Sequence, residues 1–458
     1  MCHQPNGDGE EDCLTINIYS PKTAIENNEK LPVMFWIYGG AYVEGYNKIS
    51  TYNPEYFIDT SDVVIVAVNY RLGPLGFLKL PNSTVSGNIG LMDQLLGLQW
   101  VNENIKYFGG NMKSVTLFGE SAGGLSVNLH TLSPLSNGLF QRAIIQSGTV
   151  YDPDWHQIQP ENAIEYSIML AEKLGCYADD MEVVLGCLQT KPVDEIMSNA
   201  QLVEGYLWMP TIDDQNFIPD DPFEILENGS FNKDIEIIIG NTADEGLLSL
   251  LEQLADPSTW GDFQEFFNEN APRFLFNLPY TSEFTEKDQY NADEIVKHYI
   301  GSYDNMNEDH LEKVIEMFSD DVIYGSYRTA KSFASHGVKV YQYILSYVGQ
   351  YSTTIPWAGV EPMGVNHGDD LLYLWKIPEY NVTLSGEDVD VKDTMTRAWV
   401  DFAVYGNPTP ESSGLNWTPL ETGDTFKSVF WNVFGPEPEM EDNPYFQDKL
   451  EFWESLLS

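Results

Sequence analysis

Val115-Thr116-Leu117-Phe118 runs directly into Gly119-Glu120-Ser121-Ala122-Gly123-Gly124, and Leu125 to Leu132 then continues at helical spacing. An apolar, β-rich run that breaks at glycine and restarts as a helix describes a strand feeding a tight turn with a serine at its tip. Small residues at 119 and 123 let strand and helix pass closely, and the turn forces Ser121 into a strained backbone that exposes Oγ. The helix beyond directs its N–H groups and dipole at that point, which favours negative charge there. A bare G-x-S-x-G arises by chance; between a strand and a helix it reads as an elbow carrying a nucleophile.

Further strand-length runs lie on either side: Val33 to Tyr38, Val63 to Val68, Ala143 to Gln146, Ile235 to Ile239 and Val338 to Leu345. Between them, Leu91, Leu95, Leu98 and Trp100 to Ile105 have helical spacing, and Asn162 to Leu174 reads as a helix stopped by Gly175. Strands that are continuously apolar rather than alternating suit a mostly parallel sheet covered by helices on both faces, an α/β architecture. The stretches from about 150 to 230 and about 247 to 335 exceed simple crossovers and are helical in pattern, so they predict helical cap insertions. No repeat, low-complexity tract or linker divides residues 1–458, which predicts a single domain carrying these insertions.

A serine nucleophile needs a base, and the base needs an orienting carboxylate, in the chain order Ser, Asp or Glu, His on this architecture. His3 and His130 lie too early or inside the helix after the elbow, and His298 and His310 fall in polar helical stretches. His336 precedes the strand Val338 to Leu345, at the end opposite to that where such sites assemble. His367 lies beyond the strand's carboxyl end, in the glycine-flanked, flexible loop Gly364-Val365-Asn366-His367-Gly368-Asp369-Asp370. For the acid, Ile235 to Ile239 gives way to Gly240-Asn241-Thr242-Ala243-Asp244-Glu245-Gly246, and spacing alone leaves Asp244 and Glu245 equally eligible. Phe35-Trp36-Ile37-Tyr38 ends in Gly39-Gly40-Ala41, where two glycines free the backbone; the N–H groups of Gly40, Ala41 and Ala122 could converge on a tetrahedral oxygen.

Composition narrows the chemistry. Against 70 Asp and Glu stand 23 Lys and Arg, a formal charge of −47 over 458 residues, which excludes nucleic acid and anionic membranes as partners. With 43% hydrophobic and 13% aromatic residues the chain is far from a disordered acidic one. No stretch approaches the roughly 18 apolar residues of a membrane span. Four cysteines fall into two close pairs, Cys2 with Cys13 and Cys176 with Cys187, without the C-x-x-C spacing of zinc or redox sites. Two local disulfides are expected, each worth on the order of 3 kcal/mol by loop closure. Asn82, Asn228, Asn381 and Asn416 open N-x-S/T sequons. With the cysteine pairs they predict an extracellular, glycosylated protein, although residues 1 to 20 do not read as a signal peptide.

Glu11-Asp12-Cys13-Leu14, WIYGGA at 36 to 41, NYRLGPLGFL at 69 to 78, FGESAGG at 118 to 124 and FAVYGNP at 402 to 408 together resemble the type B carboxylesterase and cholinesterase family of α/β hydrolases. The resemblance spans nearly the whole chain. It implies Ser121 as nucleophile, Glu245 rather than Asp244 as acid, His367 as base, and Gly40, Ala41 and Ala122 as oxyanion hole. It also implies the disulfides Cys2 to Cys13 and Cys176 to Cys187, a structural Arg71 to Asp93 ion pair, and Glu120 and Ser147 as buried polar residues supporting His367. Relatives carry a segment before the position of Cys2, so the chain is expected to lack the family's N-terminal part. The Cys2 to Cys13 loop has no aromatic residue of the kind that holds choline in cholinesterases. Glu120 stands where juvenile-hormone esterases tend to have Gln.

The expected activity is hydrolysis of carboxylic esters through a Ser-Glu-His triad and an acyl-enzyme, with no metal or cofactor and a small uncharged or cationic ester as substrate. The rival readings are a catalytically silent adhesion relative and a lipase or thioesterase using the same triad.

Overall fold

Strands that bury both faces need unbroken apolar runs, and these runs form the strands of the computed structural model. It describes residues 1–151, 159–201, 208–213, 217–276, 278, 283–409, 416–421, 427–431, 437–441 and 444–457. The chain divides into two compact units, the first of Met1–Ile49, Ser61–Ile144 and Gln157–Ile235, the second of Ser50–Thr60, Ile145–His156 and Glu236–Ser458.

The first unit holds β1 (Ile16–Tyr19), β2 (Leu31–Ile37), β3 (Val64–Val68), β4 (Gly110–Glu120) and the first three residues of β5 (Arg142–Gln146), in the order β1-β3-β2-β4-β5. Every residue of β3 is buried. β2 is parallel to both neighbours, Val33 facing Val64 on one side and Val115 on the other, while β1 runs antiparallel along β3. The helices Ile89–Asn104, Ala122–Leu132 and Pro160–Lys173 occupy the predicted positions. Arg71 and Asp93 form the expected ion pair, with Nε and Nη2 each bonded to one carboxylate oxygen at 2.7 and 2.6 Å. Both disulfides, Cys2–Cys13 and Cys176–Cys187, are present.

In the second unit β5 continues through Ile145 and Gln146 and is followed by β6 (Glu236–Thr242), β7 (Lys339–Leu345), β8 (Ser428–Trp431) and β9 (Pro438–Glu441), in the order β5-β6-β7-β8-β9. β6, β7 and β8 are parallel and β9 is antiparallel to β8. The stretch from about 247 to 335 supplies the helices Trp260–Leu275, Glu286–Tyr299 and Leu311–Ser335. The last of these lies against β6 and β7, and its Val314 and Phe318 share one apolar cluster with Ile344 of β7 and Phe430 of β8.

The C-terminal helix Pro444–Leu457 is locked into that cluster. Lys449 places Nζ 2.9 Å from carboxylate oxygens of both Glu316 and Asp320. Tyr299 donates its hydroxyl to Asp320 at 2.8 Å and accepts from the Trp453 indole at 2.9 Å. The cation and the donors satisfy a carboxylate that burial would otherwise make costly to ionise.

The six predicted strands all appear, and three were not predicted. β1 is a half-buried alternating tetrapeptide, and β9, Pro438-Glu439-Met440-Glu441, carries proline and charge as protected edge strands do. β8 has only four residues, too few for a clear period. Among the described residues no helix is long and apolar enough to cross a membrane.

Candidate active site

β4 ends at Glu120 and the next helix starts at Ala122, so a single residue, Ser121, makes the turn, at φ 58° and ψ −127°. Left-handed φ at a non-glycine residue is strained and persists only where the surroundings impose it. They do so here by contact. A methyl group on Gly123 would lie 2.1 Å from the Ile37 carbonyl oxygen, and one on Gly119 would lie 2.5 Å from the Gly123 carbonyl oxygen. No Cβ fits at either place, which explains the motif's two glycines physically. The helix Ala122–Leu132 is buried along its whole length, so it cannot rotate to relieve the turn.

The loop after β2 lies beside this elbow. A methyl on Gly39 would sit 2.6 Å from the Glu120 carbonyl oxygen and 2.9 Å from Ser121 Cβ. Gly40, Ala41 and Tyr42 then follow at φ 105°, 52° and 61°, three consecutive left-handed residues. The Gly40 carbonyl accepts from the N–H groups of Val43 and Glu44, both at 3.0 Å. Tyr42 is buried, with its hydroxyl 3.1 Å from that of Ser126 on the elbow helix. Loop and helix are therefore fastened together. The Ala122 N–H opens a helix and has no carbonyl one turn earlier to bond. Glu120 is buried at the end of β4 in this same neighbourhood.

The second unit holds the titratable pair. His367 Nδ1 lies 2.6 Å from Glu245 Oε2. A carboxylate acceptor fixes a proton on Nδ1 and leaves Nε2 as the nitrogen able to take one up. Glu245 follows β6 directly, and its Oε1 accepts from the Ser147 hydroxyl at 2.5 Å and from the Thr242 N–H at 2.8 Å. Burial pushes the Glu245 carboxyl up, but the adjacent His367 imidazole and these two donors outweigh it and hold it below the usual carboxylate range. Ser147, whose hydroxyl bonds Glu245, also has positive φ, 48°. Asp244, the other eligible acid, points elsewhere: its Oδ2 accepts from the Val365 N–H at 2.9 Å.

The loop bearing His367, expected to be flexible, is pinned by the charges that flank it. Asp369 is bonded to Thr353 and Asn366, and Asp370 accepts from Gln146 at 2.7 Å and from the Tyr343 hydroxyl at 2.9 Å. The two carboxylates that follow His367-Gly368 were the available sequence signal, and sequence reasoning left them unused. Four other described histidines have structural partners. His130 is fully buried between Ser136 and Gln94, and burial drives its imidazole down to about 3. His298 stacks on Phe452 with ring centroids 4.0 Å apart, His310 bonds Asn307, and His336 bonds the Ser332 carbonyl at the amino end of β7. Asn82, Asn228, Asn381 and Asn416 are all exposed. Among the described residues no group of three or more His, Cys, Asp or Glu is arranged to hold a metal ion.

Residues 2–453 match the carboxylesterase family. The chain is 35% identical over 447 residues to a juvenile hormone esterase of Tribolium castaneum, covering 91% of this chain and 74% of that protein. It is 34% identical to venom carboxylesterase-6 of Apis mellifera, covering 98% and 80%, and 31% identical to an acetylcholinesterase of Bungarus fasciatus, covering 94% and 73%. The crystal structure of juvenile hormone esterase from Manduca sexta with OTFP covalently attached superposes with a TM-score of 0.85 at 26% identity, over 98% of this chain and 84% of that one.

Proposed function

As the chain belongs to the carboxylesterase family, has the α/β-hydrolase fold and is a carboxylic ester hydrolase, we propose that Ser121 is its nucleophile, His367 its base and Glu245 the carboxylate that orients the imidazole. The observation that carries this reading is the buried 2.6 Å contact between His367 and Glu245, two residues far apart in sequence. Nothing in local sequence would bring them together by chance.

In this reading Ser121 Oγ attacks the ester carbonyl as its proton passes to His367 Nε2. Glu245 stays ionised beside the imidazolium and takes no proton itself, as its depressed carboxyl favours. The N–H groups of Gly40, Ala41 and Ala122 receive the developing oxyanion, and each such donor is typically worth roughly 3 kcal/mol. Collapse expels the alcohol, which takes the proton from Nε2 and leaves an acyl-Ser121. Water, deprotonated by the same nitrogen, attacks the acyl carbon and releases the acid.

For substrate we propose a small uncharged or cationic ester, because a formal charge of −47 repels anionic ones. The aromatic-free Cys2–Cys13 loop argues against choline selectivity. Two disulfides and four exposed sequons support secretion and glycosylation. A fluorophosphonate probe followed by mass-spectrometric mapping tests the site: label is expected on Ser121 alone, and Ser121→Ala is expected to abolish both label and hydrolysis of a short-chain p-nitrophenyl ester. Label on another residue, or equal turnover by Ser121→Ala, would overturn the assignment.

A further inference from the structure

We infer that Asp369 is a positioning residue for the base, its buried carboxylate tying the His367 turn to the segment at 352–353 so that the imidazole is held against Glu245. This rests on the reading of His367 as the base. Asn366-His367-Gly368-Asp369 closes as a four-residue turn, with the Asp369 N–H donating to the Asn366 carbonyl at 2.9 Å. Gly368 takes the third position at φ 77°, where a side chain would be strained. His367 sits at the second position, the corner. The Asp369 side chain grips the turn from within, since Oδ2 accepts from the Asn366 N–H at 2.9 Å.

The other oxygen reaches outside the turn. Oδ1 accepts from the Thr353 N–H and hydroxyl, both at 2.7 Å, and from the Ser352 hydroxyl at 3.1 Å. The Asn366 amide in turn donates to Thr353 Oγ1 at 2.8 Å, and that oxygen lies 3.2 Å from the His367 carbonyl. One carboxylate, 4% exposed, thus receives four donors. Upstream of the histidine a second grip complements it: Asp244 N–H donates to the Val365 carbonyl at 3.1 Å and Val365 N–H donates back to Asp244 Oδ2 at 2.9 Å. Burial pushes the Asp369 carboxyl up to about 6 even with its donors opposing the shift, and the four donors on its two oxygens use it as an acceptor.

Asp369→Asn keeps the shape and replaces one acceptor by a donor. Whichever way the amide turns, an N–H then faces either Asn366 N–H or the three donors from 352–353, and one side of the tie must open. Displacement of a reacting group by about 1 Å costs on the order of 10²-fold in rate. The experiment measures kcat and KM on a p-nitrophenyl ester for the full chain, with kcat normalised to sites titrated by fluorophosphonate. Asp369→Asn is expected to lower kcat about 10- to 100-fold with KM changed less than about twofold. A residue that only stabilised the fold would lower the titratable fraction and leave kcat per site unchanged. If Asp369→Asn does not fold, Thr353→Val decides the matter: it is expected to lose about 3- to 10-fold in kcat per site, and Thr353→Ser, which keeps the hydroxyl, is expected to recover it. His367→Ala separates the two readings. An active His367→Ala overturns the base assignment itself. An inactive His367→Ala, with wild-type kcat per site in Asp369→Asn, or in Thr353→Val where the former does not fold, overturns the positioning role alone.

Discussion

At Ser121 geometry is imposed by backbone torsion and by absent side chains, φ 58° against a Gly123 that presses on the Ile37 carbonyl; at His367 it is imposed by charged side chains that bond to backbone and hydroxyls. The first device is compact, since a serine, its neighbouring glycines and the ends of two adjacent strands suffice. The second is distributed over residues 147, 242, 244, 245, 353, 366 and 369. The difference predicts different failures. Damage to the elbow removes the fold around the nucleophile, whereas damage to the network leaves a folded chain with a misplaced base.

The sharpest test of the network is Glu245→Gln. It keeps the shape but permits the wrong imidazole tautomer, and a fall in kcat of about 10³- to 10⁴-fold is expected in steady-state assays of a folded protein. It also carries a pH signature. Because the Glu245 carboxyl is depressed in the folded state, its contribution to stability is present above the ordinary carboxylate value and is lost as pH falls through the lowered one. Urea titrations of Glu245→Gln at pH 7 and pH 3 are expected to lack that component. Gly123→Ala probes the elbow: with 2.1 Å to a backbone oxygen, a loss of about 3 kcal/mol or more in unfolding free energy is expected, with little soluble protein able to take the fluorophosphonate. If it folds normally and turns over normally, the contrast between the two regions collapses.

Ser147→Ala removes one of the donors to Glu245 and leaves Thr242 in place, so kcat is expected to fall about tenfold, read at saturating ester. Smallest is Asp320→Asn, a control in the C-terminal latch. Burial pushes the Asp320 carboxyl up to about 6 although Lys449 opposes it, so the native state binds that proton more tightly than the unfolded chain. Its contribution to stability therefore grows as pH falls from about 6 toward the usual carboxylate value. Asp320→Asn is expected to flatten this slope between pH 7 and pH 4.5 in urea titrations, with kcat unchanged.

What could be read from sequence follows the same division. The elbow, the loop at 39–41 and six strands are contiguous, and their physics is contained in a few neighbouring residues. His367 could be reached by elimination because it follows the carboxyl end of a strand. Asp244 and Glu245 could not be separated by spacing, since the choice depends on Val365 and His367, more than a hundred residues away. Asp369 gave no periodic signal, only its place directly after His367-Gly368. What it bonds becomes visible once Thr353 and Asn366 are beside it. β1 and β9 escaped for a related reason, because both are four-residue edge strands, one interrupted by Asn17 and the other carrying proline and charge, and neither has the apolar run by which strands are recognised.

Lys449 and Trp453 have a consequence for how the chain is made. Both are buried in the last helix, where they complete a core whose other members were synthesised far earlier, Tyr299 and Asp320 among them. On the ribosome the helices at 286–299 and 311–335 must wait with an open apolar seam and an uncompensated acidic pair until residue 453 emerges. A premature stop anywhere before 444 would leave that seam permanently exposed, a surface that chaperones and proteases recognise, so such products are expected to be degraded rather than to persist as shortened enzymes.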